Sequence, residues 1–150
     1  PESAEDLEKE EEEDLKMLDT RFLETPGYAV EQARDAAVRM VGISRQSLMR
    51  AVSLLDDYEE QTAEKVFELE DLTDRCEDEL GSYLVKLGSR DLSEKDSYLV
   101  STLLHCIGDF ERISDHAVNV AQTAQELHRK GTEFSRKAKE ELRIFSDALL

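Results

Sequence analysis

The chain has no tryptophan, two prolines in 150 residues, and no strand-like alternation of any length. With so few breakers and no period-two pattern, β architectures are excluded and an all-α fold is expected. No window approaches 18 consecutive apolar residues, so the sequence offers no membrane span, and the first residues lack the basic-then-apolar layout of a signal peptide. Cysteine is scarce as well. Cys76 and Cys106 fall at apolar-stripe positions and not at the loop spacings of a secreted disulfide framework, so they read as buried thiols in a reducing compartment. Positive charge is the last shortage. Lys and Arg total 19 against 36 Asp and Glu, a net charge of -17. Such a surface repels nucleic-acid phosphates and anionic headgroups, and no basic patch is visible, so neither nucleic acid nor direct lipid binding is expected.

What the chain has in abundance is acid and helical periodicity. Nine acids against Lys9 alone crowd the first 15 residues, so 1–17 reads as a flexible acidic linker. Thr25-Pro26 marks an N-cap followed by proline at the first helical position. From there Val30, Ala33, Ala37, Met40, Ser44, Ser47, Ala51 and Leu54 keep 3-4 spacing, and Val41, Leu48 and Leu55 add an adjacent stripe, as suits a helix with two neighbours. Asp57 with Glu60 has the form of a capping box for a second helix. That helix carries Thr62, Val66, Leu69, Thr73, Cys76, Leu80, Tyr83 and Leu87, and Gly88 ends it.

Ser93 and Asp96 stand as N-cap and N3 of a third helix. Leu99, Leu103, Cys106, Phe110, Ile113, Ala117, Val120, Ala124 and Leu127 then alternate steps of four and three, and Arg129, Lys130 and Gly131 close it. Three helices of similar length on short connections imply an up-down-up antiparallel bundle over 18–131. Residues 132–150 begin a partial fourth helix through Phe134, Ala138, Leu142, Phe145 and Leu149. Its apolar end, Ala148-Leu149-Leu150, suggests a chain cut from a longer parent and a homo-oligomer formed through this helix.

Two segments read E-x-x-x-D: Glu70 to Asp74 and Glu111 to Asp115. Positions i and i+4 are neighbours on a helix, so each segment presents two carboxylates on one face. An antiparallel hairpin turning near residue 90 would set Glu70 level with Glu111 and Cys76 level with Cys106. Both glutamates directly follow a seam residue, Leu69 or Phe110, which places them at the shoulder of the core. Four carboxylates there would form an accessible surface site for a hard or borderline cation, with Mg²⁺, Mn²⁺, Ca²⁺ and iron ahead of zinc in a thiolate site. A solvated acidic face is the alternative. Gly108, one turn before Glu111, would leave room for a cation or an approaching helix. His105 and His116 read as solvent-facing or locally bonded, and His128 lies near the helix end, where it favours the dipole. Catalysis finds no support: there is no G-x-S-x-G, no Gly-rich phosphate loop and no exposed Cys-His pair.

The stretch Ile107-Gly108-Asp109-Phe110-Glu111-Arg112-Ile113-Ser114-Asp115-His116-Ala117-Val118-Asn119-Val120-Ala121 resembles the PhoU family, whose helical repeats carry an E/D-x-x-x-D motif, here E-R-I-S-D-H-A. Glu68-Leu69-Glu70-Asp71-Leu72-Thr73-Asp74 resembles the companion motif on the neighbouring helix. With Leu18 to Pro26 leading into Ala29 to Ala33, the chain is most similar to the cytoplasmic C-terminal region of bacterial sodium-dependent phosphate cotransporters. The resemblance implies a three-helix repeat, surface metal clusters held by motif carboxylates, and a part in controlling phosphate uptake. Carried over, the metal ligands are Glu70, Asp74, Glu111 and Asp115, with Asp71 and Asp109 as second choices. Ser114 stands where many members have glycine. The implied cofactor is a divalent or trivalent ion, with iron, Mn, Mg and Zn undistinguished. The implied partner is the membrane domain of a parent transporter, which would tether this non-enzymatic domain to the inner face of the plasma membrane. A soluble PhoU-type signalling protein acting through protein partners, and a helical spacer without ligand, are the alternatives.

Overall fold

A computed structural model describes residues 18–149, so the expected acidic linker over 1–17 lies outside the described residues. A short 3-10 helix, Thr20–Glu24, leads into α1 (Pro26–Ser53), α2 (Glu60–Gly88), α3 (Glu94–Arg129) and α4 (Arg136–Leu149), with no strand among the described residues. Helices α1, α2 and α3 each pack against the other two, and the 3-10 helix lies against α1 and α2. The expected all-α bundle of three long helices and a partial fourth is what forms. At about 1.5 Å per residue the 36 residues of α3 span roughly 54 Å.

Helix boundaries follow local chemistry. Ser93 is the N-cap of α3, its hydroxyl accepting from the Asp96 N–H at 3.1 Å and donating to Asp96 Oδ2 at 2.8 Å. Replacing Ser93 by Ala should cost about 1 kcal/mol. Read by thermal unfolding, that is a fall of roughly 2–4 °C. At the other end Gly131 has φ +61°, its N–H bonds to His128 O at 3.1 Å, and the Thr132 N–H bonds to Leu127 O at 3.0 Å. This paired closure needs a left-handed residue, the conformation glycine adopts without a Cβ penalty. Thr25 and Pro26 begin α1 as expected, but the Thr25 hydroxyl donates to Phe22 O at 3.2 Å and caps nothing. The capping box expected at Asp57 and Glu60 does not form: the N-cap of α2 is Glu59, without a side-chain cap, because the chain runs on through a turn to residue 59.

The core face of α1 is the expected one: Val30, Ala33, Ala37, Met40, Ser44, Ser47, Ala51 and Leu54 are all buried. Its second stripe is not covered, since Val41 is exposed and Leu48 and Leu55 only half-buried. In α3 the core seam sits one position away from the expected line over its middle. Ile107, Ser114 and Ala121 are buried where Cys106, Ile113 and Val120 were expected. At Ser114 and Ala121 close helix approach admits the smaller side chain and leaves the bulkier Ile113 and Val120 on the shoulder, whereas at Ile107 it is the larger side chain that is directed into the core. Cys106 is therefore half-buried, Cys76 is buried, and both are free thiols.

Buried apolar residues fall into two clusters. One holds large side chains, among them Val30, Met40, Leu80, Leu84, Leu87, Val100 and Ile107. The other, toward the α1–α2 turn, consists of Ala51, Leu54, Ala63, Val66, Ala117, Ala121 and Ala124. Helix α4 makes no comparable packing with any other element, and its Ile144 and Phe145 are about two-thirds exposed, at 65% and 64%.

Candidate metal centre

The carboxylate face is built on α2 and α3, whose heights are locked by contacts through the core. The Ser114 hydroxyl donates to Thr73 Oγ1 at 3.1 Å, and Thr73 in turn donates to Leu69 O at 2.8 Å. Toward the α2–α3 turn, a Cβ on Gly81 would lie 3.5 Å from Ile107 Cδ1, and one on Gly88 3.8 Å from Val100. Near the far end Gln125 donates to Glu60 at 3.2 Å. Together these contacts slide α3 by about six residues, roughly one and a half helical turns, from the expected register. Asp115 is therefore the α3 carboxylate acting most strongly on Glu70, and Glu111 lies near Glu77 and Asp74, so the two motifs meet crosswise and not glutamate to glutamate. The cause lies in the connection: Ser89 to Ser93 extends past the end of α2 before α3 begins, and Thr73 and Ser114 then meet inside the two motifs.

The charges acting on each motif glutamate come from both helices. Burial pushes the Glu70 carboxyl above its ordinary range, and negative Asp71, Asp115, Asp74 and Glu111 push it the same way, with Asp115 the strongest influence from across the groove. Glu111 is raised likewise, by burial first and then by Asp115, Glu77 and Asp74, and a hydrogen-bonding contact with Asp115 adds to the effect. The charges acting most strongly on these two glutamates, among the described residues, are negative. Glu77, one turn beyond the second motif residue of α2, was not singled out from sequence. Its spacing of seven from Glu70 was the available signal.

Other expectations divide. Asp74, Asp115, Asp71 and Asp109 are exposed, and Glu70 and Glu111 half-buried at the shoulder of the core, as expected. Asp71 flanks Glu70 on its own helix, whereas Asp109 is held by Arg112 at 3.4 Å. Nothing lies within 4 Å of a Cβ on Gly108. His105, His116 and His128 are exposed, and His128 stacks on Tyr58 with ring centroids 4.5 Å apart. As the side chains stand, no three carboxylate, imidazole or thiol groups among the described residues converge on a common point.

The raised carboxyls fix a sign for pH dependence. A group whose folded pKa exceeds its unfolded value contributes stability that is complete below the usual glutamate value of 4.5 and is lost as pH rises through the folded value. Changing Glu70 and Glu111 together to Gln should therefore stabilise the chelated protein at pH 7, by about 0.5–1 kcal/mol if each like-charge i,i+4 pair costs about 0.2–0.5 kcal/mol. Urea unfolding should show that advantage disappearing by about pH 4. An equal gap at both pH values would mean that charge is not its source.

Among the described residues no helix is long and apolar enough to cross a membrane. No curated protein and no solved structure matches the chain. The PhoU domain family matches residues 37–124, which contain both acid motifs, the hydroxyl contact between them and most of the three long helices. That match spans more than half of the sequence, and the chain belongs to the PhoU domain family.

Proposed function

We propose that the chain is a regulatory, metal-binding domain that controls phosphate uptake by docking and without catalysis, on the cytoplasmic side of a sodium-dependent phosphate cotransporter. PhoU domains belong to phosphate-transport regulation and signalling, a regulatory and non-enzymatic setting. The observation that carries the reading beyond the family is the crosswise meeting of the two acid motifs on one face. Four carboxylates on two packed helices, with the strongest charges on Glu70 and Glu111 among the described residues all negative, fit a hard or borderline metal ion in charge and in donor chemistry. Glu70, Asp74, Glu111 and Asp115 would hold it. Asp71 is a reserve ligand, and Asp109 a weaker one because Arg112 already engages it. Bound there, an ion would neutralise the repulsion between α2 and α3 and leave open positions for a partner's carboxylate or phosphate oxygen. The half-empty surface of α4, with Ile144 and Phe145 outward, suits self-association or docking to the parent's membrane domain.

The test is phosphate uptake by cells carrying the whole parent protein, with and without Glu70→Gln and Glu111→Gln together. Loss of the response to phosphate supply, with the protein still present at normal levels, supports the reading. An unaltered response contradicts it. The gene upstream of Pro1 decides between the two PhoU settings: encoded membrane spans favour the transporter, and their absence favours a soluble signalling protein.

A further inference from the structure

The core of the bundle changes character partway along its length. Ser44 and Ser47 of α1, Thr73 of α2 and Ser114 of α3 are buried at 1% exposure or less, and they are the buried polar residues among those described. On α1 the two serines fall between Ile43 of the large-residue cluster and Ala51 of the other. On α3 Ser114 falls between Ile107 and Ala117, and on α2 the change comes between Val66 and Leu69, one turn from Thr73. Three of the four hydroxyls are satisfied: Ser44 by Met40 O at 3.0 Å, Thr73 by Leu69 O, and Ser114 by Thr73. The Ser47 hydroxyl has no hydrogen-bond partner among the described residues.

A buried hydroxyl left unbonded costs free energy, and a boundary of short polar side chains carries little apolar area from one cluster to the next. Beyond it, five of the seven buried residues of the second cluster are alanine, and the larger Leu48, Leu55, Tyr58, Phe67, Val118 and Val120 packed against them are only partly buried, so fewer large side chains are fully removed from water there than among the leucine, isoleucine, methionine and tyrosine of the first. Local opening concentrates where buried apolar contact is sparse.

We infer that the bundle hinges at this hydroxyl layer: the alanine half opens as a unit while the large-residue half stays folded. The carboxylate face borders the hinge. On α2 both Glu70 and Asp74 lie on the large-residue side of the change between Val66 and Leu69, whereas on α3 Asp115 lies between Ser114 and Ala117, so opening of the alanine half moves Asp115 relative to Glu70 and Asp74. The device regulates the geometry of that face whether or not an ion is bound.

Native-state hydrogen exchange on the full chain, in chelator and with increasing urea, tests it. Protected amides of 48–53, 63–68 and 117–125 should exchange through an opening at least about 100-fold more populated than global unfolding and weakly dependent on urea, while those of 30–43, 76–87 and 100–107 follow global unfolding. Two mild variants separate a hinge from a uniformly soft bundle. Ile107→Val should speed the second set about fivefold and leave the first unchanged, because opening of the alanine half does not release residue 107. Val66→Ala should speed both sets, by roughly tenfold. A single common exchange rate, or Ile107→Val accelerating both sets equally, overturns the inference.

Discussion

Protein purified without chelator should carry bound metal, and changing Glu70 and Glu111 together to Gln should reduce it to background. Each substitution removes one anionic oxygen donor from a different helix while keeping side-chain size and hydrogen-bonding capacity. Outer-sphere partners of a metal are worth about 10- to 100-fold in affinity, and loss of two inner carboxylates should exceed that, at about two orders of magnitude or more. The same variant gains stability in chelator at pH 7, because the cost of desolvating a charged carboxylate and the like-charge repulsion, which together raise both carboxyls, disappear with the charge. Opposite signs for metal affinity and for stability without metal are what separate a site from a merely acidic surface. A misfolded variant loses both, and a solvated acidic face shows the stability gain with no metal to lose.

Leu84→Ala should be the most damaging single substitution in the bundle, at about 2–5 kcal/mol. Leu84 is fully buried in α2 within the large-residue cluster. Its truncation removes apolar contact and leaves a cavity that rigid neighbouring helices can only partly close. The corresponding fall in melting temperature is roughly 5–20 °C. Val38→Ala on the outer face of α1, where the residue is 64% exposed, should stay within about 0.5 kcal/mol of the parent. A small effect at Leu84 would mean that the large-residue half does not hold the fold.

The helices were legible because their periodic faces run unbroken for many turns, and on α1 every expected seam residue is buried. On α3 the bulk of Ile113 and Val120 outweighs Ser114 and Ala121 by hydrophobicity, whereas close packing of three helices selects the small side chains there. Both acid motifs were visible as spacing, and their shared face follows from the antiparallel hairpin. Their relative height was not, because helix boundaries leave the slide of one rod past another undetermined. That slide is settled by contacts between residues far apart in sequence, such as Thr73 with Ser114 and Gly81 with Ile107. Glu77 went unremarked for the same reason, as its nearness to Glu111 exists only in the register that forms.

The crosswise meeting of acids from α2 and α3 at one ion is tested most directly by a double-mutant cycle on Mn²⁺ affinity, with Glu70→Gln on one helix and Asp115→Asn on the other. If both carboxylates grip the same ion, either change alone should weaken binding nearly as much as the two together. Losses that simply multiply, or no Mn²⁺ binding by the unaltered protein, would contradict a shared site.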